Sequence, residues 1–342
     1  MKVTWLIPTT RLNKFIPSSF YRHKIVKRYL YDRVEASIWI RCLQLISYLE
    51  EYGVRCRVNE PEAEADIVVF VRWQDAMAYD AMQRQKDKGR KVVFDLCINY
   101  FDETGLYDGQ YGVASKQVEE ALKIVKLADV ITCGSEFIKG RASDFHPHTV
   151  YLPESIDLRH FHFSKPKSDF FKPVLTAIWS GQPCKAAELA ETYRALTKRN
   201  IPLAIISEKK PELPGAYIFY PWSYKTFPKY ILNGELCISP RRTDNPYDMG
   251  HSHFKIGVFM AQGVPAIASS LPSYKEVINK TGGGMVCDSK STWEDTLDSV
   301  LENRQMLWEW SQTARSGMMQ YSTESITKKY IRLFERLCDS RQ

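Results

Sequence analysis

The residues best suited to chemistry cluster between Pro240 and Ser270. There a short apolar strand, ending at Ser239, gives way to a loop rich in Arg, Asp, Asn and His, and then to a helix. The run His251-Ser252-His253-Phe254-Lys255 opens that helix, with Ser252 or His253 in position to cap it. A helix start presents backbone N–H groups at the positive end of its dipole and is a ready anion site. Lys255 adds a full charge in the first turn, where the dipole disfavours a cation. A bound anion offsetting that charge is the sharper reading, and a solvated lysine the plainer one. Gly263-Val264-Pro265 ends the helix, Gly263 being suited to a left-handed turn.

A second group of polar side chains, Asp95, Asn99, Asp102 and Glu103, ends and follows the strand Val92–Cys97. Carboxylates there can serve as proton acceptors or as structural end-of-strand residues. A third feature is Thr9–Arg33, where Arg11, Lys14, Arg22, Lys24, Lys27, Arg28 and Arg33 alternate with aromatic residues. No nucleic-acid motif frames them, so nucleic acid is not the expected partner. They could meet anionic lipid headgroups or a phosphorylated lipid-linked ligand, or form a solvated loop. His146, His148, His160 and His162 lie near one another without the carboxylate or cysteine spacing a metal needs, so no metal is expected. Pro8-Thr9-Thr10 follows the first strand where a dinucleotide enzyme would carry GxGxxG.

The elements that must hold these groups alternate in type. Val3–Ile7, Val54–Val58, Ile67–Val71, Val92–Cys97, Val130–Cys133 and His148–Leu152 read as strands. Helical patterns at Val34–Glu51, Asp75–Lys88 and Ser115–Leu127 lie between them, the first stopped by Gly53. Pro153–Lys172 lacks a clear period and reads as a linker. The alternation then restarts with strands at Val174–Ile178, Pro202–Ile206, Ala216–Tyr220, Leu236–Ser239 and Pro265–Ala268. Helices at Cys184–Arg199, Phe227–Asn233, Phe254–Gln262 and Ser273–Lys280 separate them. The fold class is therefore α/β, with two Rossmann-like doubly wound domains facing across a cleft, and ligands expected at the carboxyl ends of the strands. The expected boundaries are 1–160 and 161–323, with a C-terminal helix, 324–342, packing back on the first domain.

Composition is consistent with this division. A chain of 342 residues exceeds what one core usually supports, so two domains are the default. With 44% hydrophobic and 25% charged residues it is ordinary for a globular protein, neither disordered nor fibrous. The longest apolar runs fall far short of a membrane span, and no secretion signal is visible. The eight cysteines contain no CxxC pair, and several sit in apolar runs, so they read as reduced and buried in a cytoplasmic protein. A net charge of +7 leaves anionic ligands, a membrane face and a mildly basic surface all open.

The string Phe254-Lys255-Ile256-Gly257-Val258-Phe259-Met260-Ala261-Gln262-Gly263-Val264-Pro265-Ala266-Ile267-Ala268-Ser269 resembles the donor segment of family-4-like GT-B glycosyltransferases (glycosyl transferases group 1). That segment typically reads as a lysine followed by EyMAxGxPVIaS. Tyr220-Pro221-Trp222-Ser223 and Ile238-Ser239-Pro240 are similar to its WS and xxP landmarks. Ala128-Asp129-Val130-Ile131-Thr132-Cys133-Gly134-Ser135, with Val150–Asp157 after it, resembles its aDxvitxS…vixNGiD pattern. Trp179-Ser180-Gly181 with Lys185 is similar to the loop opening the donor domain, and Gly282-Gly283-Gly284 to a structural xxGGxlv hairpin. These marks span Ala128 to Val286, in the family's order.

The resemblance implies a hexosyltransferase-like enzyme moving a sugar from a UDP-, GDP- or dTDP-sugar to a glycan, lipid-linked or small-molecule hydroxyl. It implies retention of configuration, no cofactor, and a place in polysaccharide assembly, in the cytoplasm or at the inner face of the membrane through Thr9–Arg33. Lys255, the amides of Ser252 and His253, Lys185, Gly181 and Arg241 or Arg242 would hold the donor pyrophosphate. Arg241 is preferred, because two adjacent arginines cannot easily point the same way. Trp222 and Ser223 would lie by the base, with Trp222 as a core-capping aromatic in the plainer reading. Asp95, Asn99 and Asp102 would orient the acceptor hydroxyl. The chain departs from the family where glutamates usually face the ribose and the sugar. Those places hold Val258 and Gly250, which leaves ribose and sugar recognition unassigned. A nucleotide-sugar epimerase and a non-catalytic GT-B binding protein are the alternatives.

Overall fold

A computed structural model describes residues 1–8, 34–104, 112–161 and 169–339. The basic and aromatic segment Thr9–Arg33, with its proposed membrane contact, lies outside the described residues, as does His162. The chain divides into two compact units. The first comprises Met1–Ser155, Gly250–Ser252 and Thr323–Gln342, as far as those ranges are described, and the second Ile156–Met249 with His253–Ser322.

The first unit is built on a six-stranded parallel sheet in the order β2-β1-β3-β4-β5-β6. Its strands are β1 Lys2–Leu6, β2 Arg55–Val58, β3 Ile67–Val71, β4 Lys91–Leu96, β5 Val130–Cys133 and β6 Thr149–Tyr151. β3 is buried at every residue, the mark of a strand covered by helices on both faces; at the edge, β2 alternates exposed and buried. The first helical pattern is not one regular helix. Its turn at Trp39–Leu43 widens into a π-helical segment before α1, Gln44–Glu51, and this segment carries the buried Arg41. Gly53 takes the left-handed conformation its position requires (φ +80°). Helices α2 Ala76–Asp87, α3 Ser115–Leu127 and α4 Glu136–Ser143 fill the crossovers after β3, β4 and β5, while β2 connects to β3 without a helix.

The second unit repeats the plan in the order β12-β11-β10-β7-β8-β9, again all parallel. Its strands are β7 Ala177–Ser180, β8 Leu203–Ser207, β9 Ile218–Pro221, β10 Leu236–Ser239, β11 Ala266–Ser269 and β12 Gly284–Cys287. A 3-10 segment, Pro183–Leu189, leads into α5, Ala190–Lys198; α6 Phe227–Ile231, α7 Phe254–Ala261 and α8 Pro272–Thr281 follow. Gly263 turns the chain between α7 and β11 with φ +75°. The glycine run at 282–284 is not a hairpin. Gly282 caps α8 in the left-handed region, and Gly284 opens β12, which pairs in parallel with β11. The helices α9 Lys290–Glu302 and α10 Arg304–Gly317 close this unit.

The last helix, α11 Thr323–Asp339, belongs to the first unit. It packs on α1 and sets Tyr330 and Phe334 edge-on to Trp5. All eight cysteines are free; six are buried, while Cys184 and Cys338 are partly exposed.

Candidate functional site

Three cations of the second unit converge at the carboxyl ends of its central strands. Lys185 lies in the 3-10 segment after β7, Arg241 two residues beyond β10, and Lys255 in the first turn of α7. The Lys255 ammonium rests over the Trp179 ring, 4.4 Å from its centroid, and makes no hydrogen bond or ion pair among the described residues. Gly181 allows this approach, since a Cβ there would fall 2.5 Å from the Trp179 ring and 3.2 Å from Lys255 Nζ. Lys185, 8% exposed, holds its ammonium 5.5 Å from the Tyr247 ring centroid. The Arg241 side chain is 3% exposed; its guanidinium meets Glu188 at 3.3 Å and Asp248 at 3.6 Å. Its backbone N–H donates to Ser269 Oγ at 2.8 Å.

The electrostatics follow from this crowding. Burial, with repulsion from Arg241 and Lys185, lowers the Lys255 ammonium to about 7. Burial and Arg241 lower Lys185 to about 8. Burial raises the Asp248 carboxyl, against the pull of Arg241 and Lys185. Two buried donors complete the picture: Trp179 Nε1 and Arg241 Nε have no hydrogen-bond partner among the described residues. Among the described residues no side chain caps α7; its N-cap is His253, whose ring lies 4.4 Å from that of Tyr321. The expectation that Ser252 would cap it is therefore corrected. The Ser252 hydroxyl donates instead to Glu154, a buried carboxylate of the first unit. Burial raises that carboxyl, in opposition to the Ser252 bond and nearby Arg41.

β9 is an edge strand, with Ile218 and Pro221 exposed and the residues between them half-buried. Trp222 is half-buried, its ring tilted against Phe227 at 6.3 Å, and its backbone N–H donates to Ser207 O at 2.8 Å. The Ser223 hydroxyl lies 2.8 Å from Thr226 Oγ1 in the turn before α6. Val258 is 1% exposed and packs in the core below α7, so the place the resemblance gives to a ribose ligand offers no polar group. Val258 therefore makes no side-chain contact to a nucleotide, and ribose recognition stays unassigned.

The acceptor-side candidates of the first unit are engaged elsewhere. Asp95 is fully buried and receives bidentate Arg41 (2.8 and 2.6 Å), Thr132 Oγ1 (2.6 Å) and Tyr330 OH (2.8 Å). A carboxylate so occupied is an architectural centre and is not presented to a substrate. Asn99 is fully buried, accepts from the Phe101 N–H and donates to Asp102, shaping its own loop. Asp102 also takes two bonds from Arg141. Partial burial would raise its carboxyl, but the Arg141 and Asn99 bonds prevail and lower it. At Gly250 the Cβ of a larger residue would lie 3.0 Å from Asn99 Cβ, while the Gly250 carbonyl accepts from Ser135 Oγ.

The structure thus brings Lys255, Lys185, Arg241 and Gly181 together and sets Asp95, Asn99 and Asp102 in structural networks. Sequence reasoning missed Trp179 as the platform under Lys255, and Glu188 and Asp248 as the counter-charges. Glu188, three residues after Lys185, carried the one readable signal, since i,i+3 places both on one face of a helical turn. Among the described residues, no group of three His, Cys, Asp or Glu side chains is placed to hold a metal. Nor is any helix among them long and apolar enough to cross a membrane.

Two Rossmann-like units, each a six-stranded parallel sheet, define the GT-B fold class. The comparisons with solved structures agree. The chain is similar to sucrose-phosphate synthase from Thermosynechococcus elongatus, with a TM-score of 0.73 at 10% identity, covering 99% of this chain and 100% of that one. It is similar to Anabaena HepE in complex with UDP-glucose (TM-score 0.64, 11% identity, 98% and 100% covered). A glycosyltransferase from Rickettsia africae gives 0.62 at 11% identity, with 98% of each chain covered. No family model and no curated protein matches the chain. At such identities the likeness establishes the fold.

Proposed function

We propose that this chain is a glycosyltransferase whose second unit grips the diphosphate of a nucleotide sugar. The observation that carries the reading is the Lys255 ammonium, which lies on Trp179 beside Lys185 and Arg241 with no carboxylate of its own. Buried like charges repel and are costly in low dielectric, and a bound dianion converts that cost into attraction. The N-terminus of α7, free of a side-chain cap, adds donors of the right polarity. HepE, which shares the fold, was solved with UDP-glucose.

In this reading Lys255, Lys185 and Arg241 hold the phosphates, with the amide at His253, and Gly181 keeps the approach open. The base lies against the backbone at Trp222 and Ser223. The bond from the sugar's anomeric carbon to the terminal phosphate oxygen breaks, and a bond to the acceptor oxygen forms on the same face. The acceptor proton passes to the leaving phosphate, so transfer needs neither metal nor protein base. Stabilising the leaving diphosphate is then the main catalytic task. Asn99 and Asp102 act on the acceptor side by fixing the loop after β4, while Asp95 stays an architectural residue. The acceptor is a sugar hydroxyl, free or lipid-linked.

Thermal-shift screening against UDP-, GDP-, dTDP- and ADP-sugars tests the reading. One donor class is expected to stabilise the protein, by about 2.7 kcal/mol at a hundredfold excess over its Kd. Nucleotide release from that donor should then rise with a saccharide acceptor. No stabilisation by any activated sugar would overturn it. A second reading, binding without turnover, is favoured by the apolar Val258. Stabilisation without nucleotide release would select it.

A further inference from the structure

We propose that the free edge of β9 is a docking site for an acidic, extended peptide segment of a partner protein, which joins the second sheet as a further strand. β9 closes one side of that sheet and, among the described residues, pairs with β8 alone. Successive residues of a strand aim their backbone groups at opposite edges. The Trp222 N–H, just past β9, donates to Ser207 O of β8, so Phe219, three residues earlier, aims its N–H and C=O outward. Apart from Pro221 at its end, this edge carries none of the features that keep other strands away. β2, at an edge of the first sheet, exposes Arg55 and Arg57, charges of the protective kind. β9 has no charged residue and exposes Ile218 to 44%.

The surroundings of the edge select the occupant. The loop leading into β9 forms an open groove of about 700 Å³, with Leu213, Pro214 and Tyr217 in its wall. An apolar side chain of an added strand finds a seat there. Exposed lysines flank the strand: Lys209 and Lys210 in the loop before it, Lys225 in the turn after it and Lys229 on α6. Lys210 stands over the Tyr217 ring, 5.6 Å from its centroid, and α6 lies against β9 through Tyr230, which stacks on Tyr220 at 4.8 Å. The exposed carboxylates of the same stretch are Glu208 and Glu212. Four ammonium groups against two carboxylates attract an acidic segment, and they repel a second copy of the same edge. Main-chain bonds supply the affinity of an added strand, while pockets and charges supply its selectivity. The inference does not rest on the donor reading above.

Fluorescence anisotropy with the full chain and a labelled peptide of alternating valine and glutamate tests the inference. The peptide is expected to bind, and its counterpart with lysine in place of glutamate to bind at least roughly tenfold more weakly. Two further copies carry N-methyl groups on alternate backbone nitrogens, one at the valines and one at the glutamates. A strand bonds its neighbour through alternate residues, so one copy should lose binding and the other keep it. Ile218→Glu, at an exposed position, should weaken the acidic peptide roughly tenfold and keep the wild-type melting curve and pyrophosphate binding. No binding up to about 1 mM, the same result with both methylated copies, or unchanged affinity in Ile218→Glu overturns the proposal. Equal binding of an oligonucleotide of matching charge overturns it in favour of a general anion surface. A dimer of the chain that Ile218→Glu dissociates overturns it in favour of a second copy. Pyrophosphate binding that persists through any of these failures shows that the donor reading survives them.

Discussion

Each unit buries positive charge, and the two do so differently. In the first, Arg41 is matched by a carboxylate it grips at both oxygens, with Thr132 and Tyr330 completing the shell and Leu152 O taking another N–H. In the second, Lys185, Arg241 and Lys255 share two nearby carboxylates, and Arg241 engages both. The lysines carry the cost as lowered pKa values of about 8 and 7. A saturated buried charge holds a fold together; an unsaturated one is kept where a ligand will complete it. Asp95 is thereby architectural, and the unmatched charge supports the binding role proposed for Lys255, although both looked like site residues in the sequence.

The largest expected effect lies in the saturated centre. Asp95→Ala leaves Arg41 buried and unpaired, and should destabilise the protein by about 3–5 kcal/mol in denaturant unfolding. A loss below about 1 kcal/mol would remove Asp95 as an architectural residue. Next comes Gly181→Ala, whose Cβ would press on the Trp179 ring. It should cost about 1–3 kcal/mol of stability and weaken anion binding as well. Unchanged pyrophosphate affinity in a folded Gly181→Ala protein would break the link between that glycine and Lys255.

The smallest expected effect sharpens the comparison through pH. Both lysines titrate below their ordinary value of roughly 10.4. Between about pH 7 and 10 the unfolded chain therefore binds more protons than the folded one, and unliganded stability rises with pH. Below about pH 7 both states are protonated, and the full penalty stands. Anion affinity runs the other way, because it needs the ammonium form, and should fall as pH passes through 7 to 8. Melting curves across this range, with and without pyrophosphate, should show a rising baseline and a shrinking ligand shift. A ligand shift that is flat with pH would contradict the assignment.

Much of the fold was legible because it depends on local pattern. Runs such as Ile67–Val71 are apolar on both faces, as buried parallel strands must be, and Gly53 and Gly263 mark left-handed turns by type alone. What could not be read depends on distance. Asp95 meets Arg41 from 54 residues away and Tyr330 from 235, and no spacing rule relates them. Ser252 had the type and place of a helix cap, but Glu154, 98 residues earlier, takes its hydroxyl. Tertiary competition of this kind overrides a local preference. Lys255 was found from its odd place at the positive end of a helix, whereas Trp179, Glu188 and Asp248 acquire meaning only once β7 and β10 pair as neighbours.

Calorimetric titration of pyrophosphate into wild type and Lys255→Ala, alongside unliganded melting curves, tests the central claim most directly. Affinity should fall roughly 10- to 100-fold, as loss of a charge-assisted contact of about 1.5–3 kcal/mol requires. The unliganded variant should melt no lower than wild type, since removing an unpaired buried ammonium relieves repulsion. Equal affinity in the two proteins, or a variant that fails to fold, would contradict the account.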